Sequence, residues 1–283
     1  QQYESSSNTI ITNFLSFYSH KKSHHFTGFG IKKAGNIKMG KNRMHGYKNW
    51  GNESIVTNGS EQLFTAHEQF DLIHKSTYKL KKNKTLRFNS QYSASSNTNR
   101  FDKLNDYEGS LTKYTYWYYG PQKRLLQSIA FNEIKKTILF NHYKIKLAFQ
   151  NTQESRHKQK SSETLLNNRH ENVKIYDLMV DFNKNILNSK FAYGMGSRLQ
   201  NINSHANLTD RDGGPFYNTT RYPDGGSVVE DYYAYGNIFM SFKKNLSLVI
   251  GARWNKNNLT ANFLDTTTIL LPFSEIKNNK FQL

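Results

Sequence analysis

The sequence predicts an all-β fold: an antiparallel transmembrane β-barrel, here a partial barrel of about ten strands with short periplasmic turns and long extracellular loops. Three observations predict it. Leu246, Leu248, Ile250, Ala252 and Trp254 alternate with Ser247, Val249, Gly251 and Arg253, and period two is the mark of a strand with two unlike faces. Connections between such segments alternate short and long, which a soluble sandwich does not require. Hydrophobic residues make up only 36% of the 283-residue chain and mean hydropathy is −0.78, yet aromatics reach 14%, with 18 Tyr and 19 Phe. A wet interior with aromatic girdles has that make-up.

In chain order, the first predicted strand spans about 8–19, with Phe14, Ser16 and Tyr18 on one face, and the turn at His20–His24 leads to a second strand over 25–31. A long polar stretch over about 32–67 follows, carrying Gly46 and Asn49-Trp-Gly-Asn52; a loop this long is normally functional or disordered. The third strand (about 69–80) turns at Lys81–Lys84 into a fourth (85–94), where Leu86, Phe88 and Tyr92 oppose Arg87, Asn89 and Gln91. A second long loop covers about 95–114. Tyr114–Tyr119 is strongly aromatic, Gly120-Pro121 interrupts it, and 122–131 reads as a strand. Its connection near 132–139 is the least distinct turn.

Tyr143, Ile145, Leu147 and Phe149 then alternate with Lys144, Lys146, Ala148 and Gln150, before a polar stretch over 153–168. Tyr176, Leu178, Val180 and Phe182 oppose Asp177, Met179 and Asp181, and Asn183–Asn185 is the predicted turn into Phe191, Tyr193 and Met195. A long loop over about 203–227 precedes the hairpin between Val229 and Trp254, and a polar tail ends the chain. Charges at alternate positions, such as Arg87, Lys144, Asp177 and Arg253, suit a polar lumen; on the lipid face a Lys or Arg at mid-depth costs about 2–4 kcal/mol.

Composition excludes several classes. There is no cysteine, hence no disulfide framework, thiolate metal site or cysteine nucleophile. No run of 18 apolar residues exists, so no membrane-spanning helix is expected. Gln1–Ser7 lacks the basic start and apolar centre of a signal peptide. The formal net charge of +18 raises a nucleic-acid reading, but the lysines gather at turns (Lys21-Lys22, Lys81-Lys82, Lys135-Lys136, Lys243-Lys244), where they are solvated or meet anionic headgroups. No nucleic-acid partner is expected.

Five motifs occur in order: Asn99-Arg-Phe-Asp-Lys-Leu104, Trp117-Tyr-Tyr-Gly-Pro-Gln-Lys-Arg124, Gln150–His157, Arg221-Tyr-Pro-Asp-Gly-Gly-Ser227 and Pro272-Phe-Ser-Glu-Ile276. Together they resemble the barrel of TonB-dependent outer-membrane receptors of the Bacteroidetes type, from about Gly30 to the end. The resemblance implies a 22-stranded barrel plugged by an N-terminal domain. Residues 1–283 then correspond to roughly the first half of such a barrel, without its plug and its later strands. The implied activity is not enzymatic. It is uptake of a scarce ligand, a ferric siderophore or haem, across the Gram-negative outer membrane. The implied partners are outer-membrane lipid, the iron chelate or haem as transported ligand, and the TonB energy-transducing complex acting through the plug; no cofactor is covalently bound.

Ligand contacts are expected in the outer loops and the upper lumen wall. His157, His170 and His205 are candidate haem-iron ligands through a neutral imidazole, although their spacing lacks metal-site regularity; exposed loop histidines read the same way. Arg156, Arg211 and Arg221 are candidates for pairing with ligand carboxylates, against salt bridges within the barrel. Trp117 is a candidate for stacking on a ligand ring, against a place in the interfacial girdle. Asp210–Gly214 lacks the later carboxylates of a calcium loop. Two other classes stay open: a self-contained small barrel with hydrolase acids among Asp102, Glu154, His157, Asp210 and Asp212, and a soluble basic β protein that binds polyanions with steep salt dependence.

Overall fold

The structure is a computed structural model that describes residues 1–40, 56–187, 189–210, 216–243, 246–266 and 271–282. One large antiparallel sheet runs through nearly the whole chain. Its long staves, in chain order and in neighbouring positions, are β1 (Thr9–His20), β2 (Ser23–Ala34), β3 (His67–Lys81), β4 (Lys84–Ser95), β5 (Lys123–Ile134), β6 (His142–Lys160), β7 (Leu166–Ile186), β8 (Ser189–Thr209), β9 (Ser227–Lys243), β10 (Leu246–Asn262) and β11 (Glu275–Gln282). A short edge segment, Gln2–Glu4, pairs with β1. The sheet does not close on itself.

The tail expected to be polar coil is a stave, β11, paired with β10 from Asn262↔Glu275 to Asn255↔Gln282. The indistinct turn is resolved too: β5 ends at Ile134, and the chain crosses to β6 through Lys135–Asn141, closed by Lys135 N–H on the Asn141 carbonyl at 3.0 Å and Thr137 N–H on the Phe140 carbonyl at 2.8 Å. Tyr114–Tyr119 is not a separate stave. It pairs with the upper end of β6 (Tyr119↔Arg156), in line with β5, whose own pairing starts at Lys123↔Gln153. One extra residue in the Gly120–Gln122 link makes this a β-bulge, and Pro121, which has no N–H to donate, fits there.

Register sorts the side chains. Residues directly opposite share a face, so one face carries the row Phe88, Ile129, Leu147, Leu178 and Ser197 and the parallel row Tyr92, Leu125, Asn151 and Lys174. The other carries Arg87, Ala130, Lys146, Met179 and Gly196. The apolar face is open: Leu147 is 51% exposed and Met195 58%. Among the described residues the cluster of buried apolar side chains lies in the loops, around Val56, Phe101, Leu104 and Trp117. Among the described residues no second layer covers the sheet's apolar side, unlike the packed faces of a sandwich; an uncovered patch of this extent marks contact with lipid or another apolar phase.

The height of that face is set by sequence. On β5 it runs from Lys123 to Glu133, and the lower charge is held by Lys84 Nζ at 3.2 Å and by the Tyr143 hydroxyl, which donates to it at 2.8 Å. Ten residue steps cover about 33 Å of strand, or about 25 Å along the membrane normal at a tilt near 40°. This equals the apolar band of an outer-membrane barrel. Tyr143, Phe182 and Tyr193 lie at its lower edge on neighbouring staves, and Tyr92, Phe149, Tyr176 and Tyr232 near its upper one.

β6, β7 and β8 reach 19 to 21 residues, well past this band. Stretches expected as loops, 153–168 and the start of 203–227, are therefore largely strand. Above the band both faces meet water, so alternation loses its contrast and the periodicity fades while the ladder continues. The loops of 35–66 and 95–122 hold small elements: Ile37–Lys38, Thr57–Asn58 and Glu61–Gln62 form one sheet, and Phe101–Leu104 is a single helical turn. Gly46 and Asn49–Asn52 lie outside the described residues.

Candidate functional site

Above the band, on the polar face, the β6–β7 ladder sets two like-charged pairs in adjacent rows: Glu154 opposite Glu171, and Arg156 opposite Arg169. Lys158 opposite Asn167 continues the face upward. From the loop before β9, Arg221 Nη1 lies 3.5 Å from Glu154 Oε1, and Arg169 Nη2 donates to Thr219 Oγ1 at 3.3 Å. Four cationic side chains thus stand against two carboxylates, an excess of two positive charges.

This cluster is incompletely satisfied. Glu171 is only 5% exposed, and its Oε1, like Arg169 Nε, is buried with no hydrogen-bond partner among the described residues. Desolvation, followed by the Glu154 carboxylate, pushes the Glu171 carboxyl above the usual carboxylate range despite Arg221, Arg156 and Arg169. Desolvation and the neighbouring guanidinium of Arg156 lower Arg169, and desolvation with Arg169 and Arg156 lowers Lys158. Buried like charges are held here at a cost that an anion lodged among the guanidinium groups would relieve.

Trp117 lies in neither expected place. It is 6% exposed, packed with Val56, Phe101 and Leu104, with Tyr119 against it edge-on at 5.2 Å. Arg100 lies over its ring at 4.8 Å and Arg156 at 5.8 Å. It is neither a girdle residue nor open to stack on a ligand; it anchors the loop cap and steadies Arg156 by a cation–π contact. The same cap uses Asp102, whose carboxylate accepts two bonds from Arg100 at 2.7 and 2.6 Å and is held below its usual range mainly by that bond.

His157, His170 and His205 are brought together, but on strands and on the face away from the arginines. His170 is directly opposite His205, and the His157 ring meets the His170 ring edge-on at 5.3 Å. Both ring nitrogens of His157 are engaged, Nδ1 with Asn168 Oδ1 at 2.6 Å and Nε2 with Ser155 Oγ at 2.9 Å, and Tyr118 stacks on the ring at 4.6 Å. Desolvation, with His157 and His205 nearby, lowers the His170 imidazole. Among the described residues no group of three or more His, Asp or Glu side chains is placed to hold a metal ion.

Arg211 and Asp212, and with them most of the Asp210–Gly214 loop, lie outside the described residues; Asp210 follows the last residue of β8. The hydrolase candidates do not converge: Asp102 is tied to Arg100, Glu154 faces Arg221 on the polar face, and His157 is on the other. Arg169, Glu171 and Lys158, central to the cluster, were not legible as site residues, because only register reveals which strand positions stand opposite.

At the sequence level no protein-family model and no curated protein matches the chain. Its fold is similar to solved structures described as the copper transporter OprC (TM-score 0.69, 6% identity, 96% of this chain and 40% of that one), the ferric yersiniabactin uptake receptor FyuA from Yersinia pestis (0.64, 11%, 98% and 41%), and the ferric citrate transporter FecA in its unliganded form (0.59, 16%, 98% and 39%). The sheet thus has the antiparallel architecture of these barrels. The chain spans about two fifths of their length.

Proposed function

We propose that this chain forms part of the barrel of a TonB-dependent outer-membrane receptor that takes up an anionic metal chelate, and that Arg156, Arg169 and Arg221 receive the ligand's carboxylate or other anionic donors. The barrel fold, the open apolar face and the similarity to metal and metal-chelate transporters support the general part. The ligand class is carried by one observation: two guanidinium groups directly opposite each other on the polar face, above the apolar band, with a third from a loop beside them.

Guanidinium forks bind carboxylates in two parallel bonds, and a row of them gives a multidentate chelate several such contacts at once. A ferric polycarboxylate fits this surface better than haem iron ligated by histidine, because His157, His170 and His205 face the opposite side of the sheet. Release across the membrane is assigned to the TonB complex acting through a plug, as the receptor reading implies.

The test is a binding panel on the full-length protein in its own outer membrane: ferric citrate, a neutral ferric hydroxamate, haem and cobalamin. Saturable binding confined to, or tightest for, the carboxylate chelate is expected. Preference for the neutral hydroxamate or cobalamin overturns the ligand assignment, and recovery of the protein in the soluble fraction overturns the receptor reading.

A further inference from the structure

Below the arginine cluster the polar face is not uniform in charge. On β4, β5 and β6, from Thr152 downward, it carries Arg124, Arg87, Lys146 and Lys144 and no carboxylate. The carboxylates at this height belong to the flanking staves, Asp71 on β3 and Asp177 and Asp181 on β7. A strip three staves wide is therefore positive from the cluster to the lower edge.

The flanking acids are committed elsewhere. Asp177 is held by Arg198 on β8 at 2.7 Å. Asp181 stands opposite Lys144 but accepts from the Tyr235 hydroxyl at 2.8 Å, and Asp71 accepts from Ser93 and Gln69. Arg124 donates to the neutral amide of Gln150. None of the four cations of the strip is in an ion pair among the described residues.

Their spacing makes a track. Arg124 is opposite Thr152, four residues below Arg156 on β6, and Lys146 is six residues below Thr152. Those steps are about 10 and 15 Å along the membrane normal. Arg87 and Lys146 share a row with only Ala130 between them, about 10 Å apart. Ser128, Ala130 and Ala148 form a low floor there. A recess of about 370 Å³ opens beside Lys146 toward Tyr233 and Arg253. Its carboxylates, Asp177 and Asp231, are engaged by Arg198 and the Asn257 amide, which leaves Lys146 and Arg253 to meet an anion.

We infer that the inner wall of β4–β6 is a transit lane, on which Arg87, Lys146 and Lys144 take the carboxylates of the chelate after it leaves Arg156 and Arg169. Capture above and passage below are then separate functions of separate residues. The lane sets the rate of uptake, because its cations hold the ligand only in transit, and it does not set the affinity of capture. This inference rests on the anionic-chelate reading.

The experiment uses the full-length protein in its own outer membrane, with ferric citrate as the probe. Binding is measured on de-energised cells and uptake on energised ones at saturating ligand. Arg87→Gln/Lys144→Gln/Lys146→Gln is expected to keep Kd within twofold and to lose at least fivefold in uptake rate. Lys144→Arg/Lys146→Arg, which keeps the charges, is expected to transport like the wild type; loss there too means packing, and overturns the lane. Unchanged uptake in the triple variant, or a Kd that worsens in step with uptake, also overturns it. Entry of a large antibiotic that the wild type excludes would mean that these cations latch a plug instead, and likewise overturns it. A wild type that binds no ferric citrate sinks the ligand reading and the lane together, whereas normal binding with normal uptake in the triple variant sinks the lane alone.

Discussion

Tyr233 stands directly opposite Gly196, and its ring fills the space a side chain at Gly196 would take: a Cβ there would meet Tyr233 Cζ at 2.5 Å and the Leu178 carbonyl oxygen at 2.7 Å. Arg253 covers the same ring, its guanidinium carbon 4.4 Å from the centroid. Tyr235 repeats the arrangement over Gly194 and donates to Asp181 at 2.8 Å. The polar wall of β7–β10 is thus paved by tyrosines laid across glycines.

Gly196→Val should therefore destabilise the barrel by about 1–3 kcal/mol, as overpacking does. Tyr233→Ala in the same molecule should restore only part, because the Leu178 carbonyl is backbone and cannot move aside. Thermal loss of heat-modifiable mobility in the full-length protein reads both; full rescue by Tyr233→Ala would show that the ring alone sets the constraint.

The two faces predict unlike tolerance at adjacent residues. Leu147→Lys places a charge at mid-height of the apolar face and should cost about 2–4 kcal/mol. Ala148→Lys, opposite Asp177 on the polar face, should change stability by less than about 1 kcal/mol. Folding into vesicles followed against urea measures the pair, and equal costs would mean the faces are misassigned.

In the arginine cluster, Arg156→Ala should weaken binding of a ferric carboxylate by about 10- to 100-fold, the worth of one charge-assisted contact, and Arg169→Ala similarly. Arg124→Ala, on the same face but bonded to Gln150 at 2.9 Å, should leave affinity unchanged. Titration with ferric citrate distinguishes them; equal losses at all three would indicate a diffuse field rather than a site.

Glu171 gives the cluster a pH dependence whose sign follows from its environment. Its folded-state pKa is raised, so the native state favours the neutral acid. The resulting penalty is absent below the ordinary glutamate value and complete above the raised one. Glu171→Gln should then stabilise the protein at neutral pH and flatten stability between those two values. Neutralising this carboxyl beside Arg156 and Arg169 should also tighten anion binding as pH falls through the same window. Chelate affinity of wild type and Glu171→Gln across that range, with ligand protonation controlled, tests it; parallel profiles would exonerate Glu171.

Within the band the fold was readable from residues alone. Leu147, Leu178 and Ile250 lie on the apolar face, Lys146, Asp177 and Arg253 on the polar one, and each two-residue beat carries a large hydrophobic contrast. Above the band that contrast is gone. Ser155, His157, His170 and His205 differ little in polarity from the residues beside them, so strand read as loop, and histidines expected near outer loops are on strands and face away from the arginines. β11 was hidden for the same reason: Glu275–Gln282 is mostly polar on both sides. The arginine–glutamate cluster depends on Arg156 meeting Arg169 across a turn of five residues, a pairing that no single strand records.

The bulge at Gly120–Gln122 has a consequence for how this protein tolerates change. Odd-numbered residues look outward along β5, yet Trp117 and Tyr119, also odd, look inward, because one surplus residue reverses the parity. Removing a single residue from that link would leave a regular strand: Trp117 and Tyr119 stay opposite Lys158 and Arg156, Lys123 stays opposite Gln153, and every ring keeps its present side. Removing two would force a one-residue slip, turning the indole out to solvent and sending Tyr118 inside, with the cap and the Arg156 beneath it unseated. Loss of one residue in this connection should accordingly be tolerated and loss of two punished, whatever residues are chosen.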